Sequence, residues 1–512
     1  MIIEIRQTIL RKHSIWYIAT IALLVTASAC FSTTENSPSF HETPQFPIPQ
    51  IDLVKPLRVS TEPEDVALAD RLNQLIDSSE FRDSRWGVFV VSLEDGRVIA
   101  ARDAQKLFTP ASVQKIITSS AGLDLLGPEF RWRTRVLATK GILNGTIDGD
   151  LIVYGEGAPD LTSAVISQIA NQLKEKGLRR VSGDIIGDES YFAGDSFGDG
   201  WAWNELQWYY GAGASALTVN RNETELTIED GRPISSSNFI KVSGSLKPIR
   251  SGATDSIGVK RELGSDDTYV WGEGSTLKVR LALTNPARIA ASELKKALES
   301  AGIAIEGGVR TVDWKSEPRS AAEELLSVES GTLAGIVGRM NKDSVNIYAE
   351  LILRTLGKKF GDTAPETNPK LRAVRGDDAA GAAVIRKWLT DQGISLRETE
   401  SVRDGSGLSR LNLVTPETIV RTLIYAAQMP GAQQFRDSLP IAGVDGTLKG
   451  RLAKTGGKII GKTGSILQVN TLAGYANRAN GETLAFGILI NNVTVKADSN
   501  VLIDKLAAML AQ

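Results

Sequence analysis

The fold is decided by one stretch of the chain, Thr109-Pro110-Ala111-Ser112-Val113-Gln114-Lys115-Ile116-Ile117. Thr109 is a residue type that caps helices, and Pro110 then stands at the first helical position, where its missing N–H costs nothing. Because Ser112 and Lys115 are three residues apart, a helix places both side chains on one face. A buried lysine with a lowered pKa can accept the proton of a serine hydroxyl, and a helix N-terminus favours a developing oxyanion. The stretch therefore predicts a nucleophile and its base at the start of a buried helix.

The same Ser-x-x-Lys pattern occurs at two other places, and chance alone gives about two matches in a chain this long. Ser275 and Lys278 lead into an alternating strand pattern, which separates their side chains. Ser292 and Lys295 lie within an amphipathic helix, and Ser292 is on its charged side, where we expect solvent. Only Ser112 combines a helix start, an apolar setting and a lysine one turn on.

Composition limits the chemistry that is available to this serine. The chain has 512 residues, which predicts two or three domains, and its formal net charge of −2 argues against nucleic-acid binding. Its two histidines, His13 and His41, fall in a leader and a linker, so a Ser-His-Asp triad and a His-ligated zinc site have no credible ligand. A single cysteine, Cys30, excludes an intramolecular disulfide. The base for Ser112 must then be a lysine, a tyrosine or a carboxylate.

The first 60 residues have the composition of an export signal and a linker. Residues 1–29 combine a basic start, a short apolar run and the small-residue cleavage site Ala27-Ser28-Ala29. Cys30 follows directly, as in a bacterial lipoprotein box, and predicts a lipidated N-terminus; a free cysteine or an uncleaved anchor is the alternative. Residues 30–60 form a Pro/Ser/Thr-rich linker that would hold a globular body away from a membrane.

The remaining pattern predicts an α/β (α+β) fold in which helices pack on an antiparallel sheet. A hairpin over residues 85–101 precedes the Ser112 helix, and helical patterns return after residue 320. We assign residues 61–130 and 320–512 to a catalytic domain and residues 131–319 to one or more inserted β-rich domains. The insert carries an aromatic cluster, which we expect to form its core rather than the wall of a substrate site: Trp201, Trp203, Trp208, Tyr209 and Tyr210.

Two further motifs follow Ser112 in order along the chain. Ser344-x-Asn346 lies in a helical context, and Lys462-Thr463-Gly464 leads through Ser465 towards a terminal hairpin, as an edge strand would. A second Lys-Thr-Gly begins at Lys454, but the residues that follow it favour a turn. The ordered set is the signature of penicillin-binding proteins and serine β-lactamases.

The chain resembles the class C low-molecular-mass penicillin-binding proteins, the D-alanyl-D-alanine carboxypeptidase/endopeptidase family. Ser344 follows Ser112 by 232 positions, which leaves room for the extra domains of that class, and Val345 replaces the aspartate of class A β-lactamases. The resemblance covers nearly the whole mature chain. It includes several further segments: Val181–Asp184, Asn285–Ile303, Met340–Asn346, Asp404–Arg410 and Leu472–Tyr475.

The resemblance implies a penicillin-binding/β-lactamase-like transpeptidase fold and a role for each motif residue. Ser112 would attack the carbonyl between two terminal D-alanines of a peptidoglycan stem peptide, and Lys115 would accept its proton. Ser344 would relay a proton to the leaving amine, and Asn346 would hold Lys115 and the substrate amide.

The third motif would bind the substrate. Lys462 and Thr463 would bind its terminal carboxylate beside Gly464, and the N–H groups of Ser112 and Ser465 would form the oxyanion hole. The resemblance implies no cofactor and no metal, and acylation by penicillin. The export signal predicted in residues 1–29 implies a periplasmic or cell-envelope location. A serine β-lactamase, or a non-hydrolytic protein that binds β-lactams or peptidoglycan, is the alternative function. The sequence leaves open the balance of carboxypeptidase and endopeptidase cleavage, the diamino acid of the stem peptide and the oligomeric state.

Overall fold

A computed structural model describes residues 50–235, 237–248, 255–316, 322–361, 376–394 and 399–512. All of them belong to one compact unit that spans residues 43–512. The predicted signal 1–29, Cys30 and most of the linker lie outside the described residues. Among the described helices, none is long and apolar enough to cross a membrane.

The first and last parts of the chain build one five-stranded antiparallel sheet. Its order is β17-β18-β19-β1-β2, so the strand that carries Lys462 is an edge strand. Side chains alternate between the two faces of a strand; in β1, Val88 and Val90 enter one core and Phe89 and Val91 the other. The strands are β1 (Arg85–Ser92), β2 (Val98–Arg102), β17 (Ile459–Ile466), β18 (Val469–Asn477) and β19 (Thr483–Asn491).

Helices cover both faces of this sheet. The first and last described helices, α1 and α10, pack on one face through Leu68 and Leu506, and a larger helical layer packs on the other through Ile116, Leu351 and Leu423. This arrangement confirms the predicted class of fold, with helices on an antiparallel sheet. The helices are α1 (Pro63–Asp77), α2 (Gln114–Leu126), α3 (Ser163–Glu175), α4 (Pro286–Ser300), α5 (Leu333–Lys342), α6 (Asn346–Phe360), α7 (Asp377–Asp391), α8 (Pro416–Ala426), α9 (Ala432–Ser438) and α10 (Asn500–Leu510).

The middle of the chain forms further sheets. One is five-stranded, with the order β15-β7-β5-β3-β16, and helices α3 and α4 contribute to its core through Ile169 and Leu294. Three smaller sheets have three strands each, in the orders β10-β12-β11, β13-β8-β9 and β14-β6-β4. The strands are β3 (Arg133–Ala138), β4 (Thr146–Ile147), β5 (Leu151–Gly155), β6 (Arg180–Val181), β7 (Ile185–Asp188), β8 (Glu223–Glu229), β9 (Arg232–Ser235), β10 (Lys241–Lys247), β11 (Ser256–Arg261), β12 (Asp267–Glu273), β13 (Leu277–Ala282), β14 (Ala304–Ile305), β15 (Val309–Val312) and β16 (Glu323–Glu329).

One strand bears on the predicted division of the chain. Strand β16 follows residue 320, yet it pairs antiparallel with β3 in the second five-stranded sheet. A boundary after β16 fits this pairing better than one at residue 320. The division into a catalytic domain and inserted domains stays a prediction.

Candidate active site

Ser112 lies in a turn that leads into helix α2. Residues Ala111–Val113 form one turn of 3₁₀-helix, and the α-helix begins only at Gln114. The predicted helix start at Thr109 and Pro110 was wrong, because Ala111 is left-handed (φ +47°) and interrupts a helix there. Thr109 instead exchanges hydrogen bonds with the side chain of Asn491 in β19. The turn still brings the Lys115 Nζ to 2.9 Å from the Ser112 Oγ.

The Lys115 amine is fully buried between three oxygen atoms. Besides the Ser112 hydroxyl, it contacts the Asn346 Oδ1 at 2.7 Å and the Ser406 carbonyl oxygen at 2.7 Å. Burial lowers the pKa of Lys115 from 10.5 to about 7, while the negative charges of Asp404 and Glu350 oppose this shift. A large fraction of the amine is therefore neutral near pH 7, as a general base requires.

Ser344 and Lys462 form a second pair of the same chemical kind. Ser344 lies in the short connection between helices α5 and α6 and has a left-handed backbone (φ +57°). Its hydroxyl accepts a hydrogen bond of 3.0 Å from Lys462 Nζ, which also donates to the Thr463 carbonyl at 2.7 Å. Burial and the charge of Lys115 lower the pKa of Lys462 well below 10.5. Because the two ammonium groups repel, protonation of either lysine disfavours protonation of the other.

Gly464 brings the edge strand against the nucleophile. A Cβ atom at this position would lie 2.8 Å from the Ser112 amide nitrogen and 3.0 Å from the Pro110 carbonyl, and it would overlap the Thr471 hydroxyl. Only glycine allows this approach, so β17 runs directly beside the turn that holds Ser112. The three sequence motifs therefore meet at one place: Ser112 and Lys115, Ser344 and Asn346, and residues 462–464.

Alternate N–H groups of β17 point away from the sheet, towards its open edge. The Gly461 N–H donates away from the sheet, to the Pro440 carbonyl at 2.9 Å. Amides of alternate residues in a strand point the same way, so the N–H groups of Thr463 and Ser465 also face the open edge. Ser465 is itself exposed.

The competing sequence matches lie in settings without such contacts. Lys454 is exposed in a 3₁₀ turn, and Gly456 and Gly457 after it both have positive φ, so this Lys-Thr-Gly is a turn. Ser275 and Lys278 are exposed at the start of β13. Ser292 is half-buried on α4 rather than solvated, and Lys295 there donates to the Gly307 carbonyl.

The structure adds two buried carboxyl groups that the sequence analysis did not assign. Glu350 lies on α6, and its Oε1 accepts the N–H groups of Gly405 and Ser406 at 3.0 and 2.9 Å. Asp404 accepts the N–H groups of Gly407 and Ser409 at 2.8 and 2.7 Å. Burial and the neighbouring Asp404 raise the pKa of Glu350 to about 8. A sequence signal existed: Asn346, Glu350 and Arg354 recur at intervals of four on one helix face.

The aromatic cluster of the insert was predicted to form core rather than the wall of a substrate site, and the structure places its members in both settings. Trp208 packs against the core under β8 and β13, as predicted. Tyr209 and Tyr210 instead line a cavity of about 290 Å³ that also includes Asn346 and Arg280. The Tyr210 carbonyl accepts the Asn346 Nδ2 at 2.8 Å, which fixes the orientation of that amide. The preference for insert core was wrong for these two tyrosines.

Within the described ranges, no group of three or more His, Cys, Asp or Glu side chains could hold a metal ion. Cys30 lies outside these ranges.

The fold and the paired serine–lysine contacts define a serine hydrolase of the penicillin-binding class. The chain belongs to the D-Ala-D-Ala carboxypeptidase 3 (S13) family, whose match spans residues 68–512. It is accordingly a serine peptidase.

Known proteins are similar over most of the chain. A D-alanyl-D-alanine carboxypeptidase of Actinomadura sp. is 29% identical over 475 residues, which cover 87% of this chain and 84% of that protein. The crystal structure of penicillin binding protein 4 from Haemophilus influenzae matches with a TM-score of 0.74 and 26% identity, over 86% of this chain and 98% of the other. A structure of the same protein complexed with a β-lactam has a TM-score of 0.69 and 25% identity, over the same shares of the two chains.

Proposed function

We propose that this protein hydrolyses the terminal D-alanyl-D-alanine bond of peptidoglycan stem peptides through an acyl-enzyme on Ser112. The observation that carries the proposal is the fully buried Lys115 amine, 2.9 Å from the Ser112 hydroxyl and facing no other proton donor than the serine among its three contacts. Family membership and the carboxypeptidase activity named for the Actinomadura relative support the substrate.

In the first half-reaction, the Ser112 Oγ forms a bond to the carbonyl carbon while its proton passes to the neutral Lys115 Nζ. The N–H groups of Ser112 and Ser465 bind the resulting oxyanion. When the tetrahedral intermediate collapses, the C–N bond breaks, and the proton held by Lys115 passes through the Ser344 hydroxyl to the leaving D-alanine amine. Neutral Lys115 then takes a proton from a water molecule, whose oxygen attacks the ester. When the ester C–O bond breaks, the shortened peptide leaves and Ser112 takes the proton from Lys115.

The remaining residues bind the substrate. Protonated Lys462, next to the Thr463 hydroxyl, binds the terminal carboxylate of the substrate. Gly464 allows β17 to lie close to the Ser112 turn. The cavity lined by Tyr209, Tyr210 and Arg280 adjoins Asn346 and accommodates more of the stem peptide. Penicillin acylates the same serine, as the β-lactam complex of the Haemophilus protein supports.

We also propose that the protein is exported and acts in the cell envelope, with Cys30 lipidated as a membrane anchor. The sequence of residues 1–30 supports both parts of this proposal. Mass spectrometry of the mature N-terminus tests it: a diacylglyceryl group on Cys30 is expected, and an unmodified Cys30 refutes the anchor.

The decisive experiment measures release of D-alanine from a stem pentapeptide. The wild type should release it, and Ser112→Ala should abolish release, while Ser275→Ala, in the exposed Ser-x-x-Lys match, should not. A protein that acylates with penicillin but releases no D-alanine is a non-hydrolytic binder. Rapid nitrocefin turnover, well above a slow leak, makes it a β-lactamase instead.

A further inference from the structure

The contacts of Lys115 decide where its lone pair points. A neutral amine has two N–H groups and one lone pair. Two of the three groups around it can only accept: the Ser406 carbonyl, and the Asn346 Oδ1, whose amide is fixed because its Nδ2 donates to Tyr210. Both N–H groups are therefore engaged, and the lone pair faces the remaining neighbour, the Ser112 hydroxyl.

This orientation depends on the Ser406 carbonyl, which belongs to a buried turn. Two side chains fix the peptide unit between Gly405 and Ser406 from opposite sides. Glu350 accepts the N–H groups of Gly405 and Ser406, at 3.0 and 2.9 Å, and Thr118 Oγ1 donates to the Gly405 carbonyl at 2.7 Å. Thr118 and Lys115 share helix α2, so the turn is tied to the helix that carries the base.

Asp404 holds the rest of the turn without contacting Lys115 directly. Its Oδ1 accepts the N–H of Gly407 at 2.8 Å, in the same peptide unit as the Ser406 carbonyl, and its Oδ2 accepts the Trp201 indole N–H at 2.8 Å and the Ser409 N–H at 2.7 Å. Glu350 and Thr118 hold the preceding peptide, between Gly405 and Ser406.

We propose that Glu350 is a positioning residue: by holding the Gly405–Ser406 peptide, it places Ser406, whose carbonyl lies in the next peptide unit and faces Lys115, and so it helps to direct the lone pair of the amine at Ser112. The inference rests on the proposed function, in which Lys115 is the base for Ser112.

The charged groups around the pair predict how a variant changes the pH dependence. Asp404 and Glu350 face Lys115 from the turn and from α6, Lys462 faces it from β17, and Arg354 acts on Glu350 from the same helix. Burial is the main reason why the pKa of Lys115 is low. Glu350→Ala removes a negative charge that raises the pKa of Lys115, but it also opens space that admits water and so reduces burial, which is the larger cause. We therefore expect a net rise of this pKa and an acid limb of the rate profile at higher pH. Glu350→Gln loses the same charge but keeps the burial and an acceptor oxygen, so its acid limb should not move to higher pH.

The test compares Glu350→Ala, Glu350→Gln and Glu350→Asp in the full chain. The rate constant for acylation by penicillin and the kcat and KM for D-alanine release are measured from pH 5 to 9, with melting temperatures as a record of folding. The rate constant for acylation of Glu350→Ala should be about ten- to a hundredfold lower at pH 7, as expected for a misplaced base, and should partly recover at pH 9. In D-alanine release, the same variant should lose kcat rather than gain KM. Glu350→Gln should stay within about threefold of the wild type, since an amide oxygen can accept the same N–H groups.

A control variant separates positioning from general stability. Asp124→Asn changes a carboxylate about 13 Å further along α2, which accepts hydrogen bonds from Trp388 and Tyr425. It should lower the melting temperature but leave the pH profile of acylation unchanged.

Two results would overturn the inference. One is a folded Glu350→Ala that acylates at the wild-type rate with the wild-type profile, and the other is a Glu350→Gln as slow as Glu350→Ala. If Glu350→Ala does not fold, Glu350→Asp decides, because its shorter reach should give the same loss and shift while Glu350→Gln does not. Failure of the proposed function looks different: Lys115→Ala would then acylate like the wild type.

Discussion

Acylation of Ser112 should depend on pH through Lys115, and the structure gives the magnitude. Burial lowers the pKa of this amine from 10.5 to about 7, so the neutral, reactive form gains population as the pH rises. At pH 7 about half of the amine is neutral, against about 0.03% for an unperturbed lysine. The buried site therefore supplies about a thousandfold more base at neutral pH. Between pH 7 and pH 5 the neutral fraction, and with it the acylation rate, should fall about fiftyfold.

Lys115→Arg removes this titration without removing the positive charge. A guanidinium stays protonated throughout the accessible pH range and cannot act as the base. We expect the variant to lose at least about a thousandfold in acylation, within the range that general-base catalysis contributes. The matched control is Lys454→Arg, which makes the same change at the exposed lysine of the other Lys-Thr-Gly and should leave the rate unchanged.

The assay is the second-order rate constant for acylation by a fluorescent penicillin, measured from pH 5 to 9. The expected profile has one acid limb with its midpoint near pH 7. A histidine could give a similar limb in another protein, but the chain contains only His13 and His41, which fall in the predicted export signal and the predicted linker. A rate that is constant from pH 5 to 9, or a Lys115→Arg variant with the wild-type profile, would refute the assignment of the base.

Three further variants test how the site is held together. Gly464→Ala should slow acylation by about a hundredfold, because its Cβ forces β17 away from the Ser112 turn, and a shift of about an ångström misplaces the nucleophile. The control is Gly450→Ala, whose Cβ meets open space. Equal acylation rates for the two variants would contradict the close approach of β17 to Ser112. Lys462→Ala should raise the KM for the pentapeptide about tenfold or more through loss of the carboxylate partner, whereas Lys454→Ala should not; the reverse result would move the motif to Lys454. Asp445→Asn should lower the free energy of unfolding by about 2 kcal/mol, since the buried Lys342 ammonium loses its carboxylate partner at 2.6 Å. Urea unfolding measures this change. An unchanged midpoint and slope would show that the Lys342–Asp445 ion pair contributes nothing to stability.

The motif residues could be found from the sequence because each motif consists of residues a few positions apart. Ser112 and Lys115 lie one turn apart whichever helix type connects them, so an error in the start of the helix did not disturb the pair. The choice of Lys462 over Lys454 also followed from local pattern, since an apolar approach predicts a strand and consecutive glycines predict a turn.

Other parts of the site depend on contacts between distant segments. Glu350 and the 405–406 peptide are about 55 positions apart, and nothing in either segment alone indicates that the carboxyl accepts those N–H groups. Tyr210 acts through its backbone carbonyl, which its residue type does not reveal. The left-handed conformation of Ala111 was also missed, because alanine rarely adopts it and the residue type does not indicate it. Thr109, two residues before, bonds to Asn491 of a strand that is distant in the sequence.

The most direct test of the account is the mass of the protein after reaction with penicillin. We predict one covalent penicillin per chain, carried by the tryptic peptide Leu107–Lys115, and none on Ser112→Ala. An adduct on the peptide Asp343–Arg354, which contains Ser344, or D-alanine release by a chain that never acquires an adduct, would contradict the central claim that Ser112 is the nucleophile.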